Sequence, residues 1–82
     1  MDRGLRLRLT DEAGAPVDLS VAHVEVVNPA GLVVRYYSGN VTVRDGAAAY
    51  RIPFADNDLR GLWRVRARDV VSGLTAEVTL RR

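Results

Sequence analysis

The chain has no cysteine, no lysine, a single histidine and only five aromatic residues among its 82. Without cysteine there is neither a disulfide nor a thiolate metal site, so packing has to hold so small a domain together. That absence suits a reducing compartment without excluding an extracellular one. No apolar run exceeds four residues, which excludes a membrane-spanning helix. Residues 1–10 alternate leucine and arginine and do not read as a secretory leader. One histidine and no cysteine leave little for nucleophilic or acid–base catalysis. The serines Ser20, Ser38 and Ser72 fall in or beside turns with no triad partner in view.

All twelve basic residues are arginine, which reads more simply as the codon bias of a GC-rich genome than as a selected role. The net charge is only +2, so the surface is close to balanced. Hydrophobic residues at 48% and charged residues at 27% read as a globular chain, not a disordered one. At this length a single domain buries only about 60–65% of its unfolded surface, with little material for a deep pocket.

Positively, the chain alternates apolar and polar residues in seven short stretches parted by turn residues. In Trp63-Arg64-Val65-Arg66-Ala67-Arg68 the tryptophan, valine and alanine share one side and three arginines the other. A period of two makes a half-buried strand and cannot make a helical stripe. Strands are expected at about 4–10, with Leu5, Leu7 and Leu9 inward against Arg6 and Arg8, and at about 21–27, with Ala22, Val24 and Val26 inward. A turn is expected over Asp11–Pro16. Asn28-Pro29-Ala30-Gly31 has the type I turn pattern. A third strand at about 32–38 allows two phases: Leu32, Val34 and Tyr36 inward, or Val33 and Tyr37. The first is preferred because it leaves Arg35 in water.

Asp45-Gly46 is a two-residue hairpin signal. It predicts Val43 opposite Ala48 and Val41 opposite Tyr50. Pro53 should end the fifth strand, because it cannot donate to a ladder. Residues 53–61 then form the longest loop, with at most a single helical turn near 56–61. The last hairpin turns at Val70–Gly73, setting Val65 against Val78, Ala67 against Ala76, Arg66 against Glu77 and Arg64 against Thr79. The expected fold is all-β, a seven-stranded antiparallel immunoglobulin-like β-sandwich, with at least one connection crossing between sheets. Its core is expected from Leu5, Leu7, Leu9, Val24, Val26, Val41, Val43, Tyr50, Ile52, Trp63, Val65, Val78 and Leu80.

Three candidate sites emerge. Asp56-Asn57-Asp58-Leu59-Arg60-Gly61 starts like a calcium loop, but Arg60 and Ala67 stand where oxygen ligands belong. The expectation is that these carboxylates cap a turn and that no metal or cofactor is bound. The arginines Arg64, Arg66 and Arg68, joined by Arg6 and Arg8 if those strands were neighbours, would form a basic stripe for anions or acidic glycans. Glu25, Glu77 and Asp69 oppose it, and the missing exposed aromatics argue against nucleic acid. Of Tyr36 and Tyr37 only one can be exposed, a thin basis for a carbohydrate platform. His23 reads as a solvent-facing strand residue opposite Tyr36 or Arg35.

The run Val24-Glu25-Val26-Val27-Asn28-Pro29-Ala30-Gly31 resembles the hairpin of bacterial immunoglobulin-like and macroglobulin-like modules. Ile52–Asp58, Gly61–Val65 and Asp69–Ala76 resemble the closing segment of such modules, although Leu59 replaces the proline expected after Asn57-Asp58. The resemblance covers about residues 22–80 and consists of turn and core signatures. It implies an accessory domain, non-catalytic, cut from the C-terminal end of a longer cell-envelope or extracellular polypeptide. Its partners would be neighbouring domains or another protein.

Overall fold

A computed structural model describes residues 2–9 and 19–82. The expected turn at Asp11–Pro16 lies outside the described residues. Six strands are present among them: β1 (Asp2–Arg8), β2 (Ser20–Val27), β3 (Gly39–Val43), β4 (Ala47–Pro53), β5 (Leu62–Asp69) and β6 (Thr75–Arg81). All pairings are antiparallel. β3, β2, β5 and β6 form a four-stranded sheet in that order, and β1 and β4 form a two-stranded one.

The two sheets share one core. Leu7 from β1 and Ile52 from β4 belong to the same buried cluster as Val24, Val26, Trp63 and Val65 of the larger sheet. Outside residues 32–38, the inward sets anticipated from period-two alternation reach this cluster. Leu5, Val41, Tyr50 and Val78 pack at its margin and the other nine expected members are buried. β5 shows why: its residues alternate exposed and buried without a break from Leu62 to Asp69. The β5–β6 register is the anticipated one at every pair, including Arg66 with Glu77 and Ala67 with Ala76.

Two expectations need correction. First, residues 32–38 are not a strand. Val33 makes an isolated bridge to Val27, and Arg35–Tyr37 is a single turn of 3-10 helix. The buried residues of this stretch are Val34 and Tyr37, three apart, matching the three residues per turn of that helix. Leu32 and Tyr36, expected inward, are 65% and 77% exposed. Side chains capture the backbone here. Asn28 Oδ1 accepts from the Ala30 and Leu32 amides, both at 3.0 Å. Ser38 Oγ accepts from Val26 N (3.1 Å) and donates to the Val34 carbonyl (2.8 Å). Among the described residues, six strands thus stand where seven were expected, and a short helical turn falls at 35–37, not at 56–61.

Second, Asp45-Gly46 turns as anticipated but does not found a hairpin ladder. Both residues take positive φ (52° and 76°), as the tight turn requires. Only Arg44 and Ala47 exchange backbone bonds, at 2.9 and 3.0 Å. Beyond them β3 pairs with β2 and β4 with β1, so Val41 and Val43 face Tyr50 and Ala48 across the core instead of beside them. The turn is thus one connection that crosses between sheets, and the 54–61 loop from β4 to β5 is another.

Candidate functional site

The end of the molecule where β2 and β4 finish and β5 begins collects its best-ordered polar chemistry. Phe54 packs edge to face on both Tyr37 and Trp63 there, and the Tyr37 and Trp63 rings are tilted against each other, with ring centroids 4.9–6.2 Å apart. Such contacts add to the burial of large aromatic surfaces. The Trp63 indole N–H donates to the Leu59 carbonyl at 2.9 Å, tying the 54–61 loop to the core. Tyr37 donates its hydroxyl proton to Asp58. The Ala55 amide donates to both partners, to Asp58 Oδ2 at 2.7 Å and to Tyr37 Oη at 3.2 Å. Tyr50 in turn donates its hydroxyl to the Tyr37 carbonyl at 2.5 Å.

The charges follow from this geometry. The Tyr37 hydroxyl is the main influence holding the Asp58 carboxyl below its ordinary value, aided by the Ala55 amide and the nearby Arg82 guanidinium against an opposing effect of burial. Burial first, and then the Asp58 carboxylate, push Tyr37 upward. Asp58 is therefore a charged tether for a loop. The calcium-like start of 56–61 resolves into a capped turn, with Asp58 N donating to the Ala55 carbonyl at 3.1 Å. Among the described residues, no three His, Cys, Asp or Glu side chains come together to hold a metal ion.

A second tether closes the opposite end. Asp69 is buried, and its Oδ1 accepts from the amides of Val71 (2.9 Å) and Ser72 (2.8 Å), capping the β5–β6 turn. Glycine at position 73, with φ of 79°, completes that turn. The Ser72 amide is the chief cause of a lowered Asp69 pKa, and the Ser20 hydroxyl contributes beside it. Oδ1 makes the cap, while the buried Ser20 Oγ and Asp69 Oδ2 make no hydrogen bond of regular geometry, so Ser20 acts on the carboxylate as a neighbouring dipole.

Asp69→Ala is expected to lower the melting temperature by about 5–10 °C, since it leaves two turn amides without their acceptor. The folded carboxyl titrates below an unfolded one, so the unfolded chain binds more protons between the two values. That part of the stability is complete above the ordinary value of 3.8 and is lost as pH falls through the lower folded value. Melting scans between about pH 6 and about pH 2.5 should show an acid-side loss that Asp69→Asn reduces. Identical acid profiles for the two proteins would remove Asp69 as a contributor.

The anticipated arginine stripe is divided by the fold. Arg64, Arg66 and Arg68 lie exposed on the outer face of the four-stranded sheet. Arg6 and Arg8 lie exposed on β1, which pairs only with β4 in the other sheet. Because both sheets turn their apolar sides to one core, the two arginine groups look in opposite directions. Arg66 sits in register between Glu25 and Glu77 and makes an exposed ion pair with Glu25 at 3.4 Å. Such a pair contributes about 0–1 kcal/mol and locally cancels the positive charge. Around it is a broad hollow of about 530 Å³ lined by His23, Glu25, Arg66, Arg68, Thr75 and Glu77, of mixed sign. His23 stands opposite Asn40 and Arg68, not Tyr36 or Arg35, and its Nδ1 lies 3.0 Å from Asn40 Oδ1.

Sequence reasoning did not foresee Tyr37, Phe54 and Arg82 acting together. The Arg82 guanidinium lies 5.4 Å over the Phe54 ring and donates to the Ala55 carbonyl. The three residues are remote in sequence, and no local pattern signals their meeting. No protein-family model matches the chain, and no curated protein is significantly similar to it.

Proposed function

We propose that this domain is a non-catalytic structural and docking module, immunoglobulin-like in character, serving a larger bacterial polypeptide of the cell envelope or exterior. The observation that carries this reading is how its perturbed carboxylates are used. Asp58 and Asp69, the two carboxylates among the described residues whose ionisation departs from the ordinary range, both fasten turns to the sheets. Chemistry that an active site would aim at a substrate is directed inward, at the scaffold itself. The described residues extend over 40 × 20 × 18 Å, a shape suited to spacing neighbours.

Docking is assigned to the end where the 28–38 and 54–61 segments meet. Those segments are joined by the Tyr37–Asp58 bond and by Pro29 packing against Gly61. They carry the exposed side chains of Leu32, Tyr36 and Leu59 on a fixed frame. The partner is a neighbouring domain or another protein. Acidic glycans on the Arg64–Arg68 face are the weaker reading, because Glu25 and Glu77 flank Arg66.

A photo-crosslinking side chain at Tyr36 or Leu59, in cells of the source organism, tests this. One defined protein adduct from these positions, and none from Arg64 or Thr79, is the expected result. Adducts from the sheet face alone would refute the docking assignment.

A further inference from the structure

Four arginines from three separate segments converge on one small concavity. Arg3 comes from β1, Arg60 from the 54–61 loop, and Arg81 and Arg82 from the end of β6; Phe54 and Asp56 complete the walls. Four guanidinium groups against two carboxylates, Asp56 in the wall and Asp58 beside Arg82, leave a local excess of two positive charges, as large as the net charge of the entire chain. The Asp58 carboxylate faces Tyr37 and the Ala55 amide, so it offsets part of the Arg82 charge without making an ion pair. Among the described residues the ion pairs are Arg51 with Asp2 and Arg66 with Glu25, so none of these four arginines is neutralised by one.

Two of the four are already oriented. Arg3 donates to the Arg81 carbonyl at 3.1 Å, and Arg82 is held by the Ala55 carbonyl and the Phe54 ring. Each guanidinium has five donors arranged in a fork, so such contacts fix its direction and leave donors over. The Arg82 Nε is buried with no hydrogen-bond partner. Like charges gathered on a preordered wall repel one another, and an anion relieves that repulsion.

We propose that this concavity is a binding site for a tetrahedral oxyanion, a phosphate or sulfate group, recognised by Arg3, Arg60, Arg81 and Arg82. The cavity is about 210 Å³, below the roughly 300–1,000 Å³ of pockets that enclose drug-sized ligands. It fits a single charged group and a few waters. The group arrives either as the free ion or as an ester on a small carrier. The site is independent of the docking role and would exist whether or not that role holds.

The test is titration of the 82-residue chain with inorganic phosphate, inorganic sulfate and glucose 6-phosphate, holding ionic strength constant with chloride. Melting temperature and the Arg Nε–Hε resonances are the readouts. Saturable binding of at least one of the three, with the Arg82 Nε–Hε signal moving, is expected. Tighter binding of the ester identifies an esterified ligand, and equal or weaker binding identifies the free ion. The double variant Arg3→Ala with Arg60→Ala touches no core side chain and should weaken binding at least about tenfold, each lost charged contact being substantial. The control Arg64→Ala with Arg68→Ala should leave binding unchanged. No saturable effect from any of the three anions, or equal losses in the two double variants, overturns the assignment.

Discussion

Replacing Trp63 by alanine is expected to cost about 3–5 kcal/mol, comparable with the whole stability of many small domains. The indole is 1% exposed, touches the Tyr37 and Phe54 rings and donates its N–H to Leu59. Alanine would leave a large cavity, strip two aromatic neighbours of their contacts and free the 54–61 loop. Collapse could recover only part of this, because the ring lies where both sheets and the loop meet. Urea unfolding followed by circular dichroism should show a midpoint near zero denaturant, or no folded baseline at all. A variant melting like the parent chain would show that the core is organised elsewhere. Trp63→Phe should cost distinctly less, since it keeps most of the apolar surface and loses only the hydrogen bond and part of the ring.

The second large effect is expected at Leu7. A two-stranded sheet is marginal by itself in water, so β1 and β4 persist only by closing over the larger sheet. Leu7 is fully buried in the shared cluster, and Leu7→Ala should cost about 2–5 kcal/mol. The loss should be cooperative. Amide exchange in β2 and β5 should quicken together with exchange in β1 and β4, because there is one core and no reserve. Faster exchange confined to β1 and β4 would mean that the four-stranded sheet stands alone, contrary to the single buried cluster.

These effects bear on the docking role. A spacer transmits position only if its ends are fixed to its middle, and here the polar tethers do that. Asp58 ties the 54–61 loop to Tyr37, and Asp69 ties the β5–β6 turn to its own strand. Both carboxylates are held charged in the folded state, so acid should loosen both ends before heat disrupts the core.

Outside residues 32–38, the sequence by itself determined which of the described strand residues face inward and placed the turns at 28–31, 45–46 and 70–73. β5 and β6 show this best, since alternation sets the face and the four-residue turn sets the register, so a slip of one would bury Arg66. Which strands lie side by side was decided only by the tertiary structure. Val41 and Val43 share a face with Ala48 and Tyr50 whether the strands pair in one sheet or oppose each other across a core, and period two is blind to that difference. The stretch at 32–38 was likewise settled from outside. Its valines and tyrosines suit a strand locally, but the short-range bonds of Asn28 and Ser38 turn its backbone and the distant Asp58 holds its Tyr37 ring, and neither kind of bond shows in an apolar–polar period. The arginine cluster at Arg3, Arg60, Arg81 and Arg82 belongs to the same class. Charge can be counted along a chain, but only folding brings it together.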